Sequence, residues 1–227
     1  MAAAPAREAA TVLLLRDGPA GIETWLLRRV PKMPFAPGMS VFPGGGVDPV
    51  DADGERCARE DAVASQLRVP AEHAAKLLRT AAREICEETD VRLPLEQIYP
   101  WARWITPEAE PRRYDTYFFV AVLPAGAVAA AVTGEASHAD WISVEQALAE
   151  YRAGERPMLP PTVFNLIEIA RFGTAAEVLA AAGHRVIEPI QPSIRALPDG
   201  TYVAELGNGS TLPLPAGFIT ASGRALP

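Results

Sequence analysis

A chain of 227 residues can bury a sizeable core, and this length suits one embellished domain better than two. Charged residues make up 22% and the formal balance is −7, which argues against a general nucleic-acid or membrane surface, because phosphate backbones and anionic lipids select for Lys and Arg. Two cysteines, Cys57 and Cys86, are too few for a disulfide framework and read as free thiols.

The first eight residues lack a basic start followed by a long apolar core, and the apolar run at residues 11–15 is too short to span a bilayer. The expectation is a cytoplasmic protein with no membrane partner. Residues 10–15 and 23–28 read as strands, and Arg16-Asp17-Gly18-Pro19-Ala20-Gly21 between them is turn chemistry, so an antiparallel pair is expected. Val41-Phe42 reads as a short strand feeding a glycine turn, Gly44-Gly45-Gly46. Residues 74–89 place Leu77, Leu78, Ala81, Ala82 and Ile85 in one helical stripe. Residues 98–105 and 114–123 read as strands, the second mostly apolar as a central strand should be, and 144–152 as a helix. A broken helical stretch covers 162–171 and 175–182, with Gly173 as the break and Gly183 as the stop. The Pro- and Gly-rich remainder contains strand-like 193–197 and 201–206 around Asp199-Gly200, which predicts a hairpin.

On the helix at 74–89, Glu84, Glu87 and Glu88 recur at i, i+3 and i+4 and share a face. Like charges at these spacings destabilise a helix by about 0.2–0.5 kcal/mol per pair. A solvated acidic face is the ordinary reading of such a cluster. A divalent cation offers another, since carboxylate oxygens are the donors Mg²⁺ and Mn²⁺ prefer.

Upstream, Phe42-Pro43-Gly44-Gly45-Gly46-Val47-Asp48-Pro49-Val50-Asp51 is a glycine segment ending in carboxylates. Followed by Arg83-Glu84-Ile85-Cys86-Glu87-Glu88, it resembles the Nudix box of enzymes that hydrolyse a diphosphate linked to another moiety. The pattern runs Gly, five residues, Glu, seven residues, Arg-Glu-apolar-x-Glu-Glu-x-Gly-apolar. Gly45 and Asp51 keep the first spacing, and Arg83, Glu84, Ile85, Glu87, Glu88 and Val91 match as they stand. Two departures are visible: 31 residues separate Asp51 from Arg83, and Asp90 replaces the glycine. Asp tolerates the left-handed cap expected there better than most residues. The extra residues, about 52–70, carry mixed charges and read as a surface excursion rejoining the motif at Pro70-Ala71-Glu72.

An insertion here, with Leu26-Leu27-Arg28-Arg29, Pro37-Gly38-Met39-Ser40-Val41-Phe42, Trp104-Ile105-Thr106-Pro107 and Leu159-Pro160-Pro161-Thr162, is similar to the branch containing the peroxisomal coenzyme A diphosphatases. The resemblance implies a Nudix fold, an α/β/α sandwich with a mixed sheet, over residues 9–170. Residues 171–227 would form a helical and hairpin extension packed on it. It further implies Mg²⁺ or Mn²⁺ held by Glu84, Glu87 and Glu88, and a small nucleotide-type substrate.

Coenzyme A or acyl-coenzyme A is the first expectation, cleaved to 3′,5′-ADP and (acyl-)4′-phosphopantetheine. ADP-ribose or another nucleoside diphosphate derivative is the second, and Pro107, 16 residues beyond Val91, accompanies ADP-ribose hydrolysis in some relatives. Glu84, Glu88 and Glu135 are the candidates for accepting the proton of water, with Asp140 and His138 as competitors for Glu135. Gly44, Gly45, Asp51 and Arg83 would be structural, Arg83 pointing away from Glu84 and pairing with Asp51. Arg28, Arg29, Arg112 and Arg113, with Lys32, are candidates for phosphate contacts. A homodimer is compatible with the sequence. The reading from another class, a nucleotide-binding sensor without catalysis, would be expected to lose a motif glutamate or append a DNA-binding segment, and neither is seen.

Overall fold

The computed structural model describes residues 4–215 except 34, 55, 56, 109, 133, 135 and 208. The first strand, β1 (Arg7–Gly18), explains much of the architecture. Val12, Leu13, Leu14 and Leu15 are all fully buried, and successive strand residues face opposite ways, so β1 must be covered on both sides. It pairs antiparallel with β2 (Gly21–Arg29) through a tight turn in which Gly21 takes φ +102°, and parallel with β6 (Tyr114–Val122) along nine registered residues. Parallel neighbours need a crossover. The intervening chain supplies helices α1 (Glu60–Leu67) and α2 (Ala71–Thr89) and strand β5 (Tyr99–Ile105), which returns antiparallel to β6.

Among the described residues the main sheet has eight strands. β3 (Ser40–Val41) and β7 (Ala136–Ser143) pair with β2, β4 (Gly44–Gly46) with β1, and β8 (Pro189–Ile190) with β5. One core cluster joins Val12, Leu14, Leu27 and Phe119 to α1 and α2. The other joins Leu13, Leu15, Trp101 and Phe118 to α3 (Val144–Arg152), α4 (Pro160–Ile169) and α5 (Ala175–Ala182). A separate three-stranded antiparallel sheet, β9 (Ser193–Ala196), β10 (Tyr202–Glu205) and β11 (Thr211–Leu214), buries Ala204, Leu206, Leu212 and Leu214 in that second cluster.

The mixed sheet between helical layers is the expected α/β architecture. Several local readings change. The Gly44–Gly46 segment is a strand and not a turn, because its register with Thr11, Ala10 and Ala9 continues the ladder. The stretch 136–140, where the sequence predicts no element, belongs to β7. The insertion is no surface excursion: Val63, Ala64 and Leu67 of α1 are buried under the sheet, and Gln66 Nε2 donates to the Ala182 and Arg185 carbonyls at 2.7 and 3.0 Å. The C-terminal hairpin gains β11 as a third strand. No described helix is long and apolar enough to cross a membrane.

Candidate active site

The acidic helix is fixed to the glycine strand through two polar connections. In the first, Asp48 caps a 3-10 turn, Pro49–Ala52, accepting from Val50 N–H at 3.1 Å while its own N–H donates to Asp51 Oδ2 at 2.9 Å. Asp51 is 3% exposed, and burial alone would push its carboxyl up. Bonds from Arg83, Asp48 N–H and Thr80 outweigh burial and hold it below the ordinary aspartate range. The Arg83 guanidinium is bidentate, Nε to Oδ1 at 2.9 Å and Nη2 to Oδ2 at 3.0 Å, and Thr80 Oγ1 donates to Oδ2 at 2.8 Å. Arg83 Nη2 also reaches the Gly46 carbonyl at 3.1 Å, and Arg79 holds the carbonyls of Asp51 and Ala52.

The second connection is direct: Gly44 N–H donates to Glu88 Oε2 at 2.8 Å. The close approach explains both glycines. A Cβ on Gly44 would lie 2.4 Å from the Ala10 carbonyl oxygen, and one on Gly45 would lie 2.5 Å from the Glu84 carboxylate.

The 31-residue gap therefore leaves the two halves of the motif adjacent. It also leaves α2 with the left-handed cap that the pattern requires, at Asp90 with φ 57° and ψ 13°, whose N–H bonds the Cys86 carbonyl at 2.9 Å. The segment between β6 and β7 satisfies two more helix-end carbonyls, with Ala130 N–H on Thr89 and Val132 N–H on Glu88.

Arg83 behaves differently from expectation in one respect. Its guanidinium curls back so that Nη1 lies 2.7 Å from Glu84 Oε1 and 3.4 Å from Glu87 Oε2. Desolvation nevertheless raises the Glu84 pKa, outweighing Arg83, while Asp51 and then Glu84 raise that of Arg83. Both pKa values move up, which disfavours the charged form of Glu84 and favours that of Arg83, because burial penalises both charged forms and Arg83 has the extra carboxylate of Asp51. Glu87 is exposed and Glu88 buried.

All three glutamates line one cavity of about 500 Å³, with Gly44, Gly45 and Gly46 beside them. Phe35, Trp104, Pro107, Tyr114, Phe118 and Leu159 form much of the remaining wall. This combination of an apolar wall with a few convergent polar groups is what small-molecule sites present.

Of the five candidate phosphate-binding cations, only Arg29 lines this cavity, with its Nε on the Phe35 carbonyl at 3.1 Å. Arg28, Lys32 and Arg112 are exposed and outside it, and Arg113 is spent on the Thr106 and Ala4 carbonyls. His138 and Asp140 lie on β7, near each other at 3.6 Å and away from the glutamates' cavity. Glu135 lies outside the described residues. Thr80 and Arg79 were not singled out from sequence, although their positions three and four residues before Arg83 put them one helical turn away, which was a usable signal.

An all-oxygen donor set on one helix face suits Mg²⁺ or Mn²⁺ chemically, and burial keeps the Glu84 pKa raised even with Arg83 beside it. Among the described residues, three His, Cys, Asp or Glu side chains are not gathered into a ready cation cage. Arg83 draws Glu84 and Gly44 draws Glu88, so each carboxylate is held by a group of its own.

Residues 70–161 match the NUDIX domain family, a span that begins after the insertion and leaves the glycine strand outside it. Putative nudix hydrolase 7 of Caenorhabditis elegans is 28% identical over 162 residues, covering 64% of this chain and 55% of that protein. The chain thus aligns with little more than half of that relative's length. The crystal structure of a NUDIX hydrolase from Alicyclobacillus acidocaldarius superposes with TM-score 0.64 at 24% identity, covering 78% of this chain and 96% of that one. The NUDIX domain of Shewanella oneidensis NrtR, solved in complex with ADP ribose, superposes with TM-score 0.50 at 16% identity over 74% of this chain and 88% of that one. The fold is the Nudix fold.

Proposed function

We propose that this Nudix-fold chain is a hydrolase dependent on Mg²⁺ or Mn²⁺ that cleaves the diphosphate bond of a nucleoside diphosphate derivative. The observation that carries the reading is the joint placement of Glu84, Glu87 and Glu88 with the Gly44–Gly46 strand along one side of a substrate-sized cavity. In this reading the three carboxylates hold the cation. When bound, such an ion neutralises the non-bridging phosphate oxygens and lowers the pKa of water. The protein's own parts are distinct. Arg83 and Asp51 clamp the helix to the strand, Gly44 and Gly45 let the backbone come close, and Arg29 offers guanidinium N–H groups to a phosphate. Glu84, Glu88 or Glu135 accepts the proton of the attacking water, and the shared charge makes them titrate as a group.

Coenzyme A and acyl-coenzyme A are the first substrates proposed, because the wall is rich in apolar side chains that a pantetheine or acyl arm can cover. Among the described residues the cavity offers a single arginine to a third phosphate, so this reading assigns that role to Arg29. ADP-ribose is the second reading, supported by Pro107 lining the cavity and by the ligand of the Shewanella neighbour.

The test is a panel of coenzyme A, acyl-coenzyme A, ADP-ribose, NADH, dinucleoside polyphosphates and oxidised dNTPs with Mg²⁺ or Mn²⁺, products separated by chromatography. Turnover that disappears with EDTA is expected. If no compound is hydrolysed under any metal condition, the catalytic reading is lost and the binding-only sensor takes its place.

A further inference from the structure

One face of the small C-terminal sheet is apolar. The register places Ile194 beside Ala204, Ala204 beside Leu212, and Tyr202 between Ala196 and Leu214, so these side chains project together. Leu212 and Leu214 are buried against the second core cluster. The face does not stop where the core stops. Pro192, Ile194 and Ala204 line the same cavity as the three glutamates, and Ile194 remains 38% exposed there. A branched aliphatic side chain left open in a cavity also lined by Phe35, Trp104 and Leu159 is apolar surface that a ligand can cover.

We infer that the C-terminal three-stranded sheet is part of the substrate site, with Ile194 selecting diphosphate compounds whose far end carries an apolar group. The inference rests on the reading of the acidic side as the diphosphate site, and adds that residues some hundred positions beyond the motif choose the substrate. Among the described residues, every other strand contributing to the cavity belongs to the main sheet. Leu212 and Leu214 anchor the small sheet in the second core cluster, where β11 lies against α4, so β9 can vary in sequence without disturbing the acidic helix.

The experiment uses the full chain and ADP esters bearing methyl, butyl or octyl groups on the terminal phosphate. Binding is measured by calorimetry with Ca²⁺ in place of Mg²⁺, a larger ion with looser coordination. Affinity should rise at least about tenfold from methyl to octyl in the wild type, since each fully buried methylene is worth about fourfold. Ile194→Asp should flatten that dependence, Ile194→Leu should keep it, and Ile194→Trp should retain butyl while rejecting octyl.

Ile194 is exposed, and thermal unfolding checks that each variant is folded; the Leu and Trp variants carry the test if the Asp variant is not. An unchanged slope in Ile194→Asp or Ile194→Trp, no slope in the wild type, or no binding of any ester overturns the inference. Products formed with Mg²⁺ are scored separately. A slope without products from these esters or from any compound of the substrate panel sinks the hydrolase reading alone, and products without a slope sink the selector alone.

Discussion

On the acidic side of the cavity, three glutamates of one helix lie beside three consecutive glycines of one strand, tied by Asp51, Arg83 and Gly44 N–H. On the apolar side, Phe35, Trp104, Leu159 and Ile194 arrive from four separate stretches of chain. The charged part needs fixed spacing, because carboxylates must be held against their mutual repulsion, and a helix clamped to a strand provides it. The apolar part needs only surface of suitable shape, and can be assembled from anywhere. Changes on the acidic side should therefore affect every substrate alike, whereas changes on the apolar side should alter the ratio between substrates.

The sharpest way to break that comparison is Glu88→Gln. The amide still accepts from Gly44 N–H, so the fold should persist while the charge is lost. Hydrolysis should fall by about two to three powers of ten, the usual cost of removing one preorganised electrostatic partner, and by a similar factor for every substrate. Glu87→Gln is expected to behave likewise. Full activity in either variant, or losses differing tenfold between substrates, would remove the division between the two sides.

Next in size is Asp51→Asn. It leaves Arg83 and Thr80 without a charged acceptor at a site only 3% exposed, and breaking a buried pair from one partner costs about 3–5 kcal/mol. Part of that cost should be spared because the Arg83 side chain is 23% exposed. The pH sign follows from the depressed Asp51 pKa. Its stabilisation is complete above the ordinary aspartate value of 3.8 and is lost as pH falls through the lower folded value. Unfolding curves of wild type and Asp51→Asn should thus converge only in acid below that value. Convergence near neutrality would show that the carboxylate is not held by Arg83.

A smaller effect distinguishes clamp from chemistry. Gly45→Ala places a methyl 2.5 Å from the Glu84 carboxylate, a flexible side-chain end that can move aside at modest cost. Stability should drop by only about 1 kcal/mol, while turnover should drop about tenfold because the moved group is a proposed cation ligand. Gly44→Ala meets backbone, Ala10 O and Thr11 Cα, and should instead destabilise the β1–β4 pairing. Equal behaviour of the two variants would contradict this assignment.

The unequal legibility of the two sides has the same origin. Val144–Arg152 and Ala175–Ala182 could be bounded from sequence alone, since periodicity and caps are local. The three motif glutamates were legible for that reason as well. Gly44–Gly46 was misread as a turn because a glycine run signals turns, whereas here the missing side chains of Gly44 and Gly45 make room for β1 and for Glu84. Successive strand residues face opposite ways, so Arg28 and Arg29 could not both serve the cavity. Which one does depends on the irregular pairing with β7 at that point. The burial of α1 and the reach of Ile194 depend on contacts across more than a hundred residues, and such contacts leave no period to read.

The smallest prediction concerns Asp90, where the motif expects glycine. At φ 57° an Asp side chain crowds the following carbonyl, and glycine removes that strain, worth about 1 kcal/mol for a residue that tolerates the region. Glycine also loosens the unfolded chain, which takes back about 0.4–1 kcal/mol. Asp90→Gly should therefore raise stability by no more than about 0.5 kcal/mol, read as a small increase in denaturant midpoint at constant slope. Asp90 is exposed and makes no side-chain hydrogen bond among the described residues, so turnover should be unaffected. A fall in turnover with unchanged stability would make the carboxylate a participant on the acidic side. The departure from the motif would then be an added charge there, and the acidic side would no longer be confined to the helix face and the glycine strand.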